Sequence, residues 1–445
     1  MPEAGTSFTR SRAVRVASGL ASFGVVVGFS LVAASPASAA TDADCTPLNT
    51  VDATTGTSTD IQTLLTASTP VICLSGTFTL TTGLTYDYDV TLHGLPSATL
   101  DGDGSYGILL DTSFGNTLTV ENLRLTNGSA FDGGAINGYV VVSTNSTFDN
   151  NDAVYGGAIY AYGVSATDSV FEDNTAATGG AIVSAFTSVG DSTFTNNTAE
   201  DSGGAIYSYG SLFADSSTFE GNSAFFVGGA IASYGSLDVA NSTFVENSTD
   251  PTDGLVGAVY TEGGTITQST FLDNTAGPGA GQSVGNNGST LTLRGNIFAG
   301  ADATEAHLYG DPADFVDNAG NLFTTSAATE ASLTSPAPST QFDLTTLALF
   351  NGATLADNGG PTHTVALWSG SPAINAVPAD PGSLTVDQRG VARPDVSDAG
   401  AYEFVAPVLA ATGSVPSGIL GGAAALLLGA GALAVGLARR AVRSR

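Results

Sequence analysis

The chain has 445 residues, with 41 acidic and 11 basic residues and a net charge of −30. All the basic residues are arginines, and only four of them lie between residues 41 and 412, where 40 carboxylates give 4 − 40 = −36. This charge excludes nucleic acid as a main partner and disfavours adsorption to anionic lipid. The 56 glycines favour many short strands with tight turns over a helical bundle.

Residues 1–39 have the features of a Sec signal peptide. Three arginines (Arg10, Arg12 and Arg15) precede an apolar run, and Ala37-Ser38-Ala39 is a small-residue cleavage site. We therefore expect the exported chain to begin at residue 40, with an uncleaved membrane anchor as the alternative.

Residues 40–118 combine two cysteines with one short helical and several strand-like patterns. Export to an oxidising compartment predicts a disulfide between Cys45 and Cys73, and two unpaired thiols are the alternative. Residues 60–65 are predicted to form a short helix, and residues 71–80 a first pair of strands.

Residues 119–325 contain an internal repeat with two markers that keep step. The first marker is Gly-Gly-Ala-Ile, which begins at Gly133, Gly156, Gly179, Gly203 and Gly228. The second marker is a phenylalanine, at Phe148, Phe171, Phe194, Phe219, Phe244, Phe271, Phe298 and Phe323. Six of these phenylalanines are followed three residues later by Asn151, Asn174, Asn197, Asn222, Asn247 and Asn274. A fixed period of about 24 residues predicts a solenoid.

The repeat unit contains short strand patterns and no helix-length apolar periodicity, so we expect an all-β, right-handed parallel β-helix. Equivalent residues would then stack one inter-strand spacing apart. The phenylalanines are predicted to form an internal column, and the asparagines an amide ladder. The glycine pair would allow a positive-φ bend and a close backbone approach. The disulfide and the helix at 60–65 are expected to cover the first open end, which would otherwise template aggregation.

The paired Gly-Gly-Ala-Ile and Phe-x-x-Asn markers resemble the polymorphic outer-membrane-protein repeat of secreted β-helix proteins, over about residues 120–325. This resemblance implies a pectin-lyase-like solenoid on a cell surface. The segment at 98–104 is similar to the strand and turn that precede such repeats.

Residues 326–356 are rich in Ser, Thr, Ala and Pro and are interpreted as a linker or loop. Residues 357–404 resemble the choice-of-anchor Q domain, on the motifs that begin at Asp357, Gly370, Asp387 and Asp398. Asn375 departs from that family's pattern, which usually has aspartate there. The resemblance implies a C-terminal cap of the rod. The local charges predict structural ion pairs of Arg389 and Arg393 with Asp387, Asp395, Asp398 and Glu403.

Residues 405–445 resemble a cell-wall sorting signal of the LAxTG type, because three features occur in order. The pentapeptide is Leu409, Ala410, Ala411, Thr412 and Gly413; an uncharged apolar run follows at 419–438, and four arginines end the chain. The resemblance implies that sortase cleaves after Thr412 and joins it to peptidoglycan, with membrane contact only through the apolar run before sorting. A permanent transmembrane tail is the alternative.

Five tyrosines that follow the Gly-Gly-Ala-Ile strings are the candidate ligand residues. They are Tyr160, Tyr162, Tyr207, Tyr209 and Tyr234. Because the neighbouring isoleucines are expected to point inward, these tyrosines should point outward as an exposed stripe. Such a stripe could bind a surface glycan or an extracellular protein, or it could serve only to pack neighbouring coils.

No catalytic residue and no metal site are predicted. A lyase of the pectate type needs an arginine or lysine base beside clustered carboxylates, but lysine is absent and no acidic cluster surrounds Arg124 or Arg294 in sequence. Weak Ca²⁺ binding by stacked acidic turns is a hypothesis, and no other cofactor is predicted. These turns contain Asp149, Glu172, Asp173, Glu220, Glu246 and Asp273.

The sequence therefore predicts a secreted, sortase-anchored display protein on the cell wall of a Gram-positive bacterium. Its body would be a structural or adhesive β-helix rod without enzymatic activity. The alternative is a wall-tethered polysaccharide lyase or glycoside hydrolase on the same fold.

Overall fold

The computed structural model describes residues 40–96, 98–300, 304–333, 335–352, 354–380 and 384–406. Four short helices lie among these residues: two 3-10 turns at Asp42–Asp44 and Pro312–Asp314, and two α-helices at Ser58–Thr66 and Thr346–Phe350. The signal peptide predicted at 1–39 lies outside the described residues.

Almost all strands of the described residues belong to three parallel sheets. The long sheet has 19 strands: Thr50–Asp52, Val71–Ser75, Leu84–Tyr86, Val90–Gly94, Leu109–Asp111, Thr117–Glu121, Ile136–Thr144, Ile159–Thr167, Ile182–Gly190, Ile206–Ser208, Leu212–Asp215, Ile231–Ser233, Leu237–Ala240, Val259–Thr261, Gly264–Thr267, Val284–Asn286, Leu291–Arg294, Leu308–Gly310 and Phe315–Asp317.

The phenylalanine sheet has 11 strands, one for each coil: Thr77–Thr79, Thr99–Asp101, Arg124–Thr126, Thr147–Asp149, Val170–Glu172, Thr193–Thr195, Thr218–Glu220, Thr243–Val245, Thr270–Leu272, Ile297–Ala299 and Leu322–Phe323. The short sheet has six: Ser129–Asp132, Asp152–Tyr155, Thr175–Thr178, Thr198–Ala199, Ser223–Ala224 and Ser248–Thr249. A separate antiparallel pair joins Leu355–Ala356 to Thr364–Val365.

The described residues form a right-handed parallel β-solenoid, as predicted, and the strand register shows how its coils stack. Phe171 pairs with Phe148 on one side and with Phe194 on the other, so equivalent residues of successive repeats face each other across the sheet. The period of the repeat is therefore one coil, and the fold prediction is confirmed.

The predicted phenylalanine column fills the interior. Successive rings from Phe148 to Phe323 lie 4.7–5.1 Å apart between centroids, and every ring is buried. Phe342 extends the stack, 5.2 Å beyond Phe323. This spacing is close to the distance between neighbouring strands, so the rings stack because the backbone is in register.

The asparagine ladder also forms. Nδ2 of Asn174 donates to Oδ1 of Asn197 at 2.9 Å and to the carbonyl of Phe148 at 2.9 Å, and the same pattern recurs from Asn151 to Asn274. A second ladder, of serine hydroxyls that accept from backbone amides, runs beside it through Ser146, Ser169, Ser192, Ser217, Ser242 and Ser269. These ladders satisfy polar groups that the turns would otherwise leave buried without partners.

The glycine pair has the two roles predicted for it. Gly156 has φ +62°, a left-handed conformation that side chains disfavour. A Cβ on Gly157 would collide with the backbone carbonyl of Gly180 in the next coil. The alanine and isoleucine that follow, for example Ala158 and Ile159, are fully buried.

The first coil is covered by the predicted helix, which spans Ser58–Thr66 and buries Ile61 and Leu65 against the core. Its N-terminus is closed by a capping box between Thr57 and Asp60. Cys45 and Cys73 form a disulfide with their Cα atoms 5.7 Å apart, which ties the N-terminal segment to the second strand.

The two C-terminal segments lie where sequence reasoning did not place them. Residues 326–333 and 335–350, within the segment interpreted as a linker, pack on the last coil: Glu330 accepts hydrogen bonds from the backbone amides of His307 (2.7 Å) and Leu308 (3.1 Å). The carboxylate of Glu330 thereby replaces the strand that a further coil would supply. The open end is thus covered by the supposed linker.

The segment at 357–404, predicted as the end cap, lies instead along the side of the phenylalanine sheet. Gln388 contacts Thr218 and Thr243 in two successive coils, and Gly400 donates to the carbonyl of Gly295 at 2.7 Å. The physical reason is apolar cover: Val245, Leu272 and Ile297 are buried in one cluster with side chains of this segment.

Candidate binding face

The five candidate tyrosines lie on the outer side of the long sheet, in two neighbouring columns rather than in one stripe. In the first column, the register runs through Tyr160, Val183, Tyr207, Ala232 and Tyr260. Tyrosine therefore alternates with a smaller residue from coil to coil. Each ring has room to lie over its small neighbour, which explains why Val183 and Ala232 are fully buried although they point outward.

The second column stands two residues further along the chain in each coil and contains Tyr162, Tyr209 and Tyr234. Tyr162 and Tyr209 are 47% and 48% exposed, whereas Tyr234 is half-buried against Tyr207 and Tyr260. Ring centroids lie 5.1 Å apart for Tyr207 and Tyr234, and 5.3 Å apart for Tyr234 and Tyr260. The two columns are thus in contact through Tyr207, Tyr234 and Tyr260, and their outer surface is here called the tyrosine face.

Several aromatic residues of this face were missed by sequence reasoning. They are Phe131, Tyr139, Tyr155, Phe186 and Tyr260. A signal existed for Tyr260, which follows the degraded repeat string at Val256 at the same rank as Tyr160 and Tyr207. Phe131 and Tyr155 belong to the short sheet, so only the fold brings them to the candidate tyrosines.

Burial changes the acidity of the phenols. It raises the pKa of Tyr234 to about 12, with a further contribution from the charge of Asp201. It also raises the pKa of Tyr207 and of Tyr209, and the charges near Tyr209 include that of Asp132. The face therefore presents neutral phenols with two carboxylates among them.

The four arginines of the described residues are all engaged in ion pairs. Arg389 and Arg393 pair with Asp387 (2.6 Å) and Glu403 (3.0 Å), as predicted. Arg124 pairs with Asp149 at 2.6 Å. Arg294 contacts Asp380 at 3.5 Å. Sequence reasoning did not identify Asp149 as the partner of Arg124, because Asp149 is 25 residues away along the chain and one coil away in space.

The acidic turns do not converge. Asp149 is occupied by Arg124, and the described residues contain no group of three or more His, Cys, Asp or Glu side chains that could hold a metal ion. Weak Ca²⁺ binding stays a prediction, which a thermal melt in EDTA and then in millimolar Ca²⁺ would test.

The sorting residues Leu409, Ala410, Ala411, Thr412 and Gly413 lie outside the described part of the chain, as does the apolar run at 419–438. Within the described part, no helix is both long and apolar enough to cross a bilayer.

Comparison with known proteins supports the repeat. Residues 145–162 and 191–209 match the Chlamydia polymorphic membrane protein repeat. The crystal structure of pectate lyase Pel9A aligns with 77% of this chain and 90% of its own, with a TM-score of 0.41 and 14% sequence identity. No curated protein sequence matches.

Proposed function

We propose that the protein is an exported, non-enzymatic rod that displays the tyrosine face on the surface of a Gram-positive cell, where sortase links it to peptidoglycan. The observation that carries the display function is the tyrosine face itself. A solenoid needs its inner phenylalanines for stability, but an outer patch with rings such as Tyr162 and Tyr209 half exposed is characteristic of an interaction surface.

Wall attachment is supported by the sequence at 409–445 and by the resemblance of the repeats to those of surface proteins. The proposed anchor places Thr412 on a peptidoglycan amine, with the apolar run at 419–438 as a transient membrane contact. The solenoid would then extend outward from the wall.

The absence of enzymatic activity is supported by the state of the two arginines considered for a lyase base. Arg124 is held by two hydrogen bonds to Asp149, which raise the pKa of its guanidinium. Arg294 is buried and donates to the carbonyls of Asn318 and Pro378. Since a proton-abstracting base must be unprotonated, both side chains are poorly placed for that role. Incubation with acidic and neutral polysaccharides tests this point: release of shortened or unsaturated products would contradict it.

Mass spectrometry of peptidoglycan-digested wall fragments tests the anchor. We expect a peptide that ends at Thr412 and carries a muropeptide, and we expect its loss in a Thr412→Ala variant. Recovery of peptides that continue past Gly413 would contradict sortase processing.

A binding assay on glycan arrays and matrix proteins tests the face. Replacing Tyr160, Tyr162, Tyr207 and Tyr209 together by serine should abolish binding while the coil remains folded. Tyr106→Ser is the matched control, because Tyr106 is an exposed tyrosine that takes no part in the face. Equal binding by the quadruple variant and the control would contradict a role for these tyrosines.

A further inference from the structure

We propose that the tyrosine face binds a basic polypeptide segment, with one cationic side chain over Asp132 and a second over Asp201. This inference rests on the proposed display function and names the chemistry of the partner.

The first position is built around Asp132, which lies in register with Tyr155 on the next coil. The ring of Tyr155 is 5.8 Å from that of Phe131 and 6.4 Å from that of Tyr160. Burial raises the pKa of Asp132, and among the described residues no hydrogen bond or cation opposes that rise. The carboxylate is therefore partly desolvated, lies next to Phe131 in its own coil and Tyr155 in the next, and has no partner among the described residues.

The second position is built around Asp201. The residue after it, Ser202, pairs with Val227, and the rings of Tyr207 and Tyr234 pack against the small apolar cluster that contains Val227. Burial raises the pKa of Asp201, and a hydrogen bond from Ser202 offsets only part of the rise. The charge of Asp201 in turn raises the pKa of both tyrosines, after the larger effect of their own burial. This site repeats the combination of a carboxylate and phenol rings found at Asp132.

The separation of the two positions suits an extended peptide. Asp132 lies three coils before Ser202, as the register through Tyr155 and Thr178 shows, and Asp201 directly precedes Ser202. Three inter-strand spacings put the backbones of the two positions about 14 Å apart along the coil, which an extended chain covers in about four residues. Two basic residues four positions apart match this spacing.

Charge selects this partner over others. The region from 41 to 412 carries −36 and every described arginine is committed to an ion pair, so an anionic polymer would be repelled. A neutral sugar would stack on the rings but would leave both carboxylates desolvated and unpaired. A guanidinium or ammonium group pairs with the carboxylate and also gains from the faces of the rings.

The test is binding of synthetic peptides to the purified full chain, measured by titration calorimetry. The probe is a nine-residue glycine- and serine-based peptide with arginines four positions apart, and its control has glutamines in place of both arginines. We expect binding of the arginine peptide alone. We also expect Asp132→Asn, Asp201→Asn or Tyr209→Leu each to weaken it about tenfold.

Asp173→Asn is the matched control, because it removes one exposed charge elsewhere and asparagine tolerates the left-handed backbone at that position. Binding of the arginine peptide should be unchanged in this variant. If Asp173→Asn weakened binding of the arginine peptide as much as Asp132→Asn does, the binding would be general charge attraction, and the proposal would be overturned. Failure of the arginine peptide to bind, or tight binding of a neutral oligosaccharide that Asp132→Asn leaves unaffected, would also overturn it. None of these results bears on whether Thr412 is joined to the wall, so the two proposals fail separately.

Discussion

Arg124 and Asp149 form a two-point ion pair between neighbouring coils: Nε lies 2.7 Å from Oδ1, and Nη2 lies 2.6 Å from Oδ2. Asp149 is buried and Arg124 is half exposed. Burial by itself would raise the pKa of Asp149, but the hydrogen bonds from Arg124, Asn150 and Thr126 outweigh it, and the net shift is downward. The pair therefore stabilises the fold only while the carboxylate is ionised.

Arg124→Gln should lower the free energy of unfolding by about 1–2 kcal/mol at neutral pH, since a charge-assisted pair is lost at a partly exposed site. Because the folded-state pKa of Asp149 is lowered, the ionised carboxylate contributes to the free energy of unfolding above the unfolded-state pKa. This contribution is lost as the pH falls through the folded-state pKa. The difference from the parent should therefore shrink in acid. Urea unfolding at pH 7 and at about pH 3 checks this. A gap of equal size at both pH values would contradict the account.

Asn197→Ala should destabilise the fold by about 3 kcal/mol, because it leaves buried ladder groups without partners. Nδ2 of Asn197 donates to Phe171 and Asn222, and its Oδ1 accepts from Asn174. Asn196→Asp is the control, since Asn196 is exposed and aspartate also tolerates its positive φ. Thermal melts should separate the two variants. Similar melting temperatures for both would mean that the ladder contributes little.

Phe194→Ala should cost about 3–5 kcal/mol, because it opens a cavity in the middle of the stacked column. Phe194 is fully buried between Phe171 and Phe219, at 4.7 and 4.9 Å. Phe213→Ala removes a ring of the same kind that is 48% exposed, and should change stability by less than about 1 kcal/mol. Chemical denaturation of both variants measures the two losses of unfolding free energy. Losses of equal size in Phe194→Ala and Phe213→Ala would contradict the prediction.

The repeat was predictable because it is written into the sequence at a fixed period. Phe148, Gly156 and Asn174 each belong to a series that has one member in every coil, so the spacing of each series gives the register of the coils. That the phenylalanines point inward follows from their apolar side chains. The path of 357–404 was not predictable in this way, because it depends on contacts such as Gln388 with Thr218 that lie 170 residues apart.

One local clue to that path was present and was not used. The outward position of the phenylalanine sheet is Thr195 in one coil and Glu220 in the next, but becomes Val245 and then Leu272 further on. A change from polar to apolar residues on an outer face indicates that something covers it. The carboxylates of the tyrosine face escaped sequence reasoning for a different reason: Asp132 acquires its aromatic neighbours from other coils.

Asp132→Asn should raise stability at neutral pH, by up to about 1 kcal/mol, because it removes a partly desolvated charge that has no partner. The folded-state pKa of Asp132 is raised above its ordinary value of 3.8. The contribution of Asp132 to the free energy of unfolding is therefore fully present below pH 3.8 and is lost as the pH rises through the folded-state pKa. The gain of the variant should accordingly vanish near pH 3.8. Thermal melts across pH 3.5–7 check this; a loss of stability at neutral pH would mean that the carboxylate has a favourable partner.

Gln388→Leu should release the segment at 357–404 from the side of the solenoid without unfolding the coils. Gln388 is buried; its Nε2 donates to Thr218 and Thr362 at 2.9 and 2.8 Å, and its Oε1 accepts from Thr243 at 2.6 Å. Leucine removes one partner from each of the three hydroxyls at this buried interface. Thr218 and Thr362 keep their bonds to the carbonyls of His363 and Ser216, whereas the hydroxyl of Thr243 loses its acceptor. Hydrogen exchange should therefore quicken in 357–404 and stay slow in the nine-residue strands of the long sheet.

Asp395→Asn is the control for that experiment, because Asp395 belongs to the same segment but is exposed. Its exchange pattern should match that of the parent. If Gln388→Leu speeds exchange equally in the segment and in the strand Ile159–Thr167, the two parts unfold as one cooperative unit. The side segment would then be part of what holds the coils together, since its apolar contacts with Val245, Leu272 and Ile297 would be needed by the sheet beneath them.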